Sequence, residues 1–188
     1  LMERTSKRPI VTGLISKSQA TIFATLIGLI ALVLFWVFTT ELATLLALIA
    51  IVFYVLVYTM ALKQRTSQNI VWGGAAGCMP VLIGWAAVTN SLSLTAWAFF
   101  FVIFFWTPPH FWALAIKYKD DYALAGTPML PVVATKSNVR RQMWLHTILM
   151  IFSSVAVISL ASLPLWSMAL TIGLGIILSL IHISEPTR

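Results

Sequence analysis

Four long stretches of this chain contain no charged residue, and this feature restricts the possible folds more than any other. They cover residues 18–40, 42–62, 66–116 and 142–184. A helix needs roughly 20 apolar residues to cross the hydrocarbon core of a bilayer. The first two stretches have the length of one span, and the last two have room for a pair of spans each. The chain is therefore expected to cross a membrane several times.

Polar breaks divide each of the two longer stretches into a pair of helices. Asn90-Ser91 interrupts the third stretch, and Ser162-Leu163-Pro164 interrupts the fourth. The six predicted spans lie at about 18–38, 43–62, 70–89, 93–115, 142–161 and from 165 onward. Apolar runs of this length exclude an outer-membrane barrel, whose strands are shorter and alternate. The predicted fold class is all-α, a polytopic transmembrane helix bundle.

Composition agrees with this class and argues against a nucleic-acid partner. Of the 188 residues, 60% are hydrophobic and 9% are charged, whereas soluble domains carry about 25% charged residues. The net charge of +7 comes from basic residues between apolar spans, a pattern that indicates membrane topology. The expected partner is the lipid bilayer. The lone Cys78 cannot form an internal disulfide and is expected to pack inside the bundle.

The basic residues are confined to one side of the predicted bundle. The segment before residue 18 and the loops 63–69 and 116–141 share this side, and the short turns at 39–42, 90–93 and 162–164 share the other. Eleven lysines and arginines occupy the first side: Arg4, Lys7, Arg8, Lys17, Lys63, Arg65, Lys117, Lys119, Lys136, Arg140 and Arg141. The second side has none. By the positive-inside rule, the charged loops are predicted to be cytoplasmic.

The loop from about 116 to 141 contains an acidic pair at the membrane edge. If the fourth span continues as a helix, Lys117 and Asp121 lie within about 20° of His110, and Asp121 lies roughly 16 Å from it along the axis. Carboxylates such as Asp120 and Asp121 bind Mg²⁺ through oxygen ligands, and the metal bridges to phosphates. Nearby basic residues would bind the remaining oxygens of a diphosphate leaving group. The alternative is a solvated loop with a Lys117–Asp121 ion pair.

His110 follows Pro108-Pro109 inside the fourth span. An ionisable side chain within a span usually faces the protein interior, and the prolines are expected to free backbone carbonyls and kink or break the helix. A haem-iron ligand, a propionate contact and a proton carrier are the functional interpretations. The alternative is a histidine hydrogen-bonded to the freed carbonyls. His146, just after Arg140-Arg141, is expected to lie at the interface.

The loop at 63–69 and the first helix turns after it form a second candidate site. Lys63, Arg65 and Asn69 are placed to reach an anion where the third span begins. Gly73 and Gly77 form a GxxxG pattern, whose usual role is close helix approach. The alternative is that Gly73, Gly74 and Gly77 leave room for a bulky, flat substrate. Basic residues of the opening segment, Arg4 and Arg8, either fix topology or bind phosphates.

Taken together, these segments resemble the protohaem IX farnesyltransferases of the UbiA-type intramembrane prenyltransferases. The matching segments are Met2-Glu3-Arg4-Thr5 through Arg8-Pro9, Tyr58-Thr59 through Leu62-Lys63, Arg65-Thr66, Asn69-Ile70, Gly73-Gly74 through Gly77, Pro80 through Gly84-Trp85, Thr107-Pro108-Pro109-His110-Phe111-Trp112-Ala113, and Asp121-Tyr122 through Pro128-Met129-Leu130-Pro131. They occur in order from residue 2 to about residue 140. The Pro-Pro-His-Phe-Trp segment is specific to the haem branch.

The resemblance implies a bundle of nine helices around a central cavity, of which six would be present here. It implies transfer of farnesyl from farnesyl diphosphate to a vinyl group of haem B, giving haem O, in the bacterial inner membrane. Asp121 and Asp120 would bind Mg²⁺ and act in catalysis. Diphosphate would be bound by Arg4, Arg8, Lys63, Arg65 and Lys117, and the other substrate by Asn69, Gly73, Gly74 and His110. Haem A synthase or terminal oxidase assembly factors are the implied partners.

The chain departs from the family pattern at three places. The family's first acidic motif would lie just before Leu1, so residues 1–177 are expected to be a fragment that is inactive alone. Ala125 replaces an acid that the second motif often has. Residues 178–188 match the translation of a transposase-type sequencing adapter, so His182, Glu185 and Arg188 are expected to carry no function.

Two other functions remain open at this point. One is a UbiA-type enzyme that prenylates a quinone precursor or chlorophyllide. The other is a non-catalytic haem-binding or transport protein, a class that often shows paired broken helices in repeated halves. The haem-type Pro-Pro-His segment argues against the first, and the lack of a visible repeat argues against the second.

Overall fold

The computed structural model describes residues 5–184 and, within them, all side chains except those of 165 and 178–184. The elements are α1 (Lys17–Phe38), α2 (Glu41–Val52), a π-helical segment (Phe53–Leu62), α3 (Asn69–Thr89), α4 (Leu94–Lys117), α5 (Lys119–Leu124), α6 (Leu130–Val133), α7 (Lys136–Leu160) and α8 (Leu165–Ser184). No strand occurs between residues 5 and 184. The predicted all-α class is confirmed.

Five of these helices are long and apolar enough to cross a bilayer. They are α1, α2 with its π-helical continuation, α3, α4 and α7, and α8 adds a shorter apolar stretch over 166–177. Each predicted span therefore coincides with a helix. The fifth begins at Lys136 instead of 142 because the Thr135 hydroxyl accepts a hydrogen bond from the Asn138 amide and caps the helix earlier. The chain is a multi-pass membrane protein.

Short polar turns end and restart these helices. Asn90, at the break predicted in the third stretch, closes α3 in the left-handed conformation at φ 49°, which asparagine tolerates well. Ser93 then caps α4 by accepting a hydrogen bond from the Ala96 amide. At the preceding turn, the Thr40 hydroxyl caps α2 and also donates to the Ala86 carbonyl at 2.8 Å. This last bond ties the α1–α2 turn to the end of α3.

Two clusters of buried side chains hold the bundle together. α3 packs between α2 and α4, and α4 packs against α7. The first cluster joins α2, α3 and α4 through Ala43, Leu46, Cys78, Leu82, Ala86, Ala96 and Phe100. The second joins α4, α6 and α7 through Trp112, Leu130, Val139 and Met143. Cys78 is fully buried and its thiol donates to the Gly74 carbonyl at 2.8 Å, so the packing role predicted for it is confirmed.

One predicted interruption of α4 does not occur, and one that was not predicted does. α4 continues from Leu94 to Lys117 through Pro108 and Pro109, so of the expected kink or break, the break is wrong and the kink stays a prediction. The prolines remove only the amide donors that would have reached the carbonyls of Phe104 and Phe105. Conversely, the helix does end at Lys117, where Tyr118 has φ −110° and ψ 31°. The straight projection from His110 to Asp121 therefore does not hold, because Asp121 belongs to the separate helix α5.

Candidate functional site

Most of the predicted site residues lie at one end of the bundle, here called the charged end. This end is defined by the loop at 63–68 and the segment at 118–135. The π-helical segment, α4 and the short helix α5 finish there, while α3 and α7 begin there. Alternation of neighbouring helices thus brings the basic loop and the acidic helix to the same side of the membrane. The charge separation seen in the sequence is reproduced in the fold.

Hydrogen bonds hold the backbone of the basic loop, and its charged side chains are exposed. Asn69 is 1% exposed, and its amide Nδ2 donates to the Lys63 carbonyl at 3.1 Å. The Gln68 backbone N–H donates to the Thr66 hydroxyl at 3.1 Å. The side chains of Lys63 and Arg65 are exposed. Asn69 therefore shapes the loop, and its buried Oδ1 has no partner among the described residues.

A run of π-helix precedes this loop and was not predicted from the sequence. The segment Phe53–Leu62 spans 10 residues, and within it the Thr59 hydroxyl donates to the Tyr54 carbonyl, five residues back, at 2.8 Å. π-Helical turns are rare and frequently found at functional sites. Here the wider turn brings the Tyr58 ring against Gly73, where an added Cβ would lie 2.9 Å from two ring carbons. Tyr58 also lies near Tyr122 of α5.

The glycines at the start of α3 serve helix contacts. A Cβ at Gly74 would lie 3.2 Å from the Thr107 methyl carbon, whereas one at Gly77 would have no heavy atom within 4 Å. Close approach therefore occurs at Gly73 and Gly74, and the expected GxxxG pair of Gly73 and Gly77 is not the contact formed. Thr107 is locked at this contact because its hydroxyl donates to the Ile103 carbonyl at 2.8 Å. A substrate contact of Gly73 or Gly74 stays a prediction.

His110 lies on the side of α4 that faces away from α7. At 100° per residue it is about 160° from Trp112, whose ring packs on His146 of α7 with centroids 5.3 Å apart. The His110 ring stacks on Trp106, with centroids 4.5 Å apart and planes at 18°. Along this side Trp106 and Leu114 are each 37% exposed. A flat aromatic ligand has an open apolar and aromatic surface here.

The acidic pair opens the short helix α5. Asp120 is exposed and Asp121 half-buried, and both occupy the first turn, where the helix dipole favours negative charge. Lys117 lies over the Tyr118 ring at 5.8 Å, and the predicted Lys117–Asp121 ion pair is not formed in the described part of the chain. The described side chains, which exclude those of 165 and 178–184, contain no cluster of three metal-binding His, Cys, Asp or Glu residues. A metal-binding role for Asp120 and Asp121 stays a prediction.

Of the two predicted phosphate ligands in the opening segment, the structure describes only Arg8. Arg4 is outside the described residues. Arg8 lines an open cleft of about 810 Å³ that is formed entirely by residues 8–23, with Leu14 and Phe23 among the apolar walls. No feature of the described fold tests the prediction that residues 178–188 derive from a sequencing adapter.

Sequence reasoning missed a polar contact between the basic loop and α7. The Gln68 side-chain amide donates to Gln142 Oε1 at 2.9 Å. The Gln142 carbonyl is bonded to Nδ1 of His146 at 2.9 Å, and because a carbonyl only accepts, Nδ1 carries the proton. His146 is half-buried between the rings of Phe105 and Trp112. A polar residue recurring every turn from Asn138 to His146 was the available signal in the sequence.

The fold and the site define a multi-pass helical membrane protein with basic and acidic groups gathered at one end. Residues 1–186 match the model of the UbiA prenyltransferase family. The chain belongs to the UbiA prenyltransferase family, and the family prediction made from its motifs is confirmed.

Three similar curated proteins share one name. The chain is 50% identical over 183 residues to a protoheme IX farnesyltransferase of Kineococcus radiotolerans, covering 96% of the chain and 54% of that protein. Identity is 47% over 173 residues to the Rhodococcus jostii protein of that name, with 92% and 58% covered. It is 51% over 155 residues to the Streptomyces coelicolor protein, with 82% and 49% covered. The chain spans about half the length of these relatives, and no solved structure matches it significantly.

Proposed function

We propose that the protein to which these residues belong transfers the farnesyl group of farnesyl diphosphate to a vinyl group of haem B, giving haem O. The observation that carries the proposal is the shared position of the basic loop and the acidic helix α5 at the charged end, beside the exposed His110–Trp106 surface of α4. The names of relatives at about half identity support the same reaction.

The basic residues have the chemistry to bind and release diphosphate. Lys63 and Arg65 project from a loop whose backbone is fixed by Asn69, and Lys117 ends α4 at the same level. Positive charge held there stabilises the diphosphate as the bond from farnesyl C1 to oxygen breaks and its electron pair leaves with the oxygen. Arg4 and Arg8 join this set on the basis of the family resemblance.

Asp120 and Asp121 fit a Mg²⁺ ion that also binds the substrate's phosphates. They are adjacent oxygen ligands in one helical turn with at least one carboxylate open to solvent, and Mg²⁺ is commonly held by one or two carboxylates together with phosphates and water. Bound there, the ion would neutralise charge on the leaving diphosphate. Asp121 and Asp120 would orient the diphosphate relative to α4.

The acceptor would lie on the His110 side of α4. Stacking of the imidazole on Trp106 offers a flat surface for a porphyrin, and His110, Asn69, Gly73 and Gly74 are the contacts proposed from the sequence. The vinyl group's terminal carbon attacks farnesyl C1, and water adds to the adjacent carbon and loses a proton. The product carries a hydroxyethylfarnesyl group. The charged end would face the cytoplasm of a bacterium, in the inner membrane, near haem A synthase or oxidase assembly factors.

The test uses membranes from cells that express the complete protein of which this chain is a part. They are incubated with haem B, farnesyl diphosphate and Mg²⁺, and porphyrins are separated by chromatography and identified by mass. A haem O peak that depends on both substrates is expected. Prenylation of 4-hydroxybenzoate in place of haem B would overturn the proposal, and so would haem binding without any product.

A further inference from the structure

The loop that carries Lys63 and Arg65 is joined at both ends to helices. The Lys63 N–H donates to the Tyr58 carbonyl of the π-helical segment at 2.8 Å. Asn69, the buried first residue of α3, donates to the Lys63 carbonyl at 3.1 Å. These bonds fix the loop to the segments before and after it in the chain, and none of them reaches α7.

A side-chain hydrogen bond joins this loop to α7, a distant part of the chain. Gln68 Nε2 donates to Gln142 Oε1 at 2.9 Å across 74 residues of sequence. The Gln142 amide in turn donates to Asn138 Oδ1 at 3.5 Å, which orients its oxygen toward Gln68. Both partners are partly buried, where such a bond is less exposed to competition from water.

The helix that supplies this contact is well anchored. α7 packs along α4, and Val139 and Met143, on either side of Gln142, are 4% and 2% exposed within the cluster that contains Trp112. Gln142 therefore belongs to the rigid part of the bundle, whereas Gln68 belongs to the loop. The hydrogen bond between them holds the loop, and with it Lys63 and Arg65, at a fixed position relative to α7.

We propose that Gln142 is a positioning residue that holds the Lys63–Arg65 loop in place for the prenyl diphosphate. The inference rests on the proposed function for its substrate. Gln142 acts through Gln68 and does not itself contact diphosphate. Because only the acceptor oxygen is used toward the loop, a glutamate at this position would keep the contact and a leucine would remove it.

The kinetic test compares Gln142→Leu with Gln142→Glu in the complete protein. Gln142→Leu is expected to raise KM for farnesyl diphosphate roughly fivefold and leave KM for haem B unchanged, since only the binding of one substrate depends on the loop. Gln142→Glu should restore a KM near that of the unchanged protein. Gln64→Leu, the same substitution at an exposed glutamine of the loop, is the control and should leave both constants unaltered. Equal increases in both KM values would assign Gln142 a merely structural role and overturn the proposal.

A second measurement does not depend on activity. Trypsin cleaves after Lys63 and Arg65, and also after Lys119 outside the loop. In detergent, Gln142→Leu should speed cleavage at the two loop sites severalfold over the unchanged protein, with cleavage after Lys119 the same in both. Unchanged loop cleavage would overturn the positioning role even if haem O is formed. Absence of haem O with faster loop cleavage would refute the proposed reaction and leave the loop contact supported.

Discussion

Gly74 and Gly77 lie one turn apart on α3 and allow a matched test of the α3–α4 contact. A Cβ at Gly74 would stand 3.2 Å from Cγ2 and 3.3 Å from Cβ of Thr107, whereas a Cβ at Gly77 would meet nothing within 4 Å. Thr107 is 9% exposed and its hydroxyl is bonded to the Ile103 carbonyl at 2.8 Å. It therefore cannot turn aside without losing that bond.

Both alanine substitutions gain helix propensity, but only Gly74→Ala creates a steric contact. Replacing a helical glycine by alanine favours the helix by about 1 kcal/mol at either position. Gly74→Ala also overpacks the contact with Thr107, which costs about 1–3 kcal/mol. Gly77→Ala is therefore expected to stabilise the protein by up to about 1 kcal/mol. Gly74→Ala is expected to range from neutral to about 2 kcal/mol destabilising.

The chain's single cysteine provides the assay. Cys78 is fully buried in the α2–α3–α4 cluster, so a thiol-reactive dye labels it only when this cluster opens. Labelling is followed during a thermal ramp in detergent, with circular dichroism as a probe that does not involve the thiol. The expected order of Tm is Gly77→Ala, then the unchanged protein, then Gly74→Ala. Adding Thr107→Ser to Gly74→Ala removes the nearest carbon and should restore part of the loss. Equal Tm changes for the two alanines, or no coupling to Thr107, would refute the packing argument.

Three further predictions concern the proposed reaction, measured as haem O formation. Lys63→Gln and Arg65→Gln should each raise KM for farnesyl diphosphate by about tenfold, as expected for loss of a charge-assisted contact, with Lys136→Gln as the unaffected control; an equal effect of Lys136→Gln would remove the argument. Asp121→Asn should lower kcat by roughly 100-fold and raise the Mg²⁺ concentration needed for half activity; an unaltered Mg²⁺ titration would exclude this carboxylate as a ligand. His110→Phe should weaken haem B binding, followed by its absorption spectrum, while farnesyl diphosphate binding is retained; unchanged haem binding would place the acceptor elsewhere.

Helix positions were predictable because two strong physical constraints act on them. The bilayer thickness sets span length, and the cost of burying charge keeps lysine and arginine out of the spans. The predicted ends at 38, 62 and 89 coincide with the observed ends at Phe38, Leu62 and Thr89. The exception, the start of α7 at Lys136, arises because the helix continues beyond the apolar stretch, where hydropathy gives no signal.

Local backbone geometry at the charged end was not predictable in the same way. The π-helical segment has the same unbroken apolar composition as α2, so nothing in its pattern marks the wider turn at Tyr58. No glycine or proline marks the break at Tyr118. The first glycine and the first proline after it are Gly126 and Pro128. The Gln68–Gln142 bond joins residues 74 positions apart, and a single sequence holds no record of such a pairing.

His110 and His146 show how packing separates a candidate ligand from a structural residue. His146 has Nδ1 bound to the Gln142 carbonyl and its ring set between Phe105 and Trp112, so its polar and aromatic surfaces are engaged by the α4–α7 contact. His110 points to the opposite side of α4, about 160° from Trp112, where its neighbours are partly exposed rings. Lys117 lies within about 20° of the same side and two turns nearer the charged end. That side of α4 therefore runs from an aromatic surface suited to a porphyrin up to the level of the basic loop. A donor held at the charged end and an acceptor held at His110 would meet along it, whereas an acceptor at His146 would have to displace the core between α4 and α7.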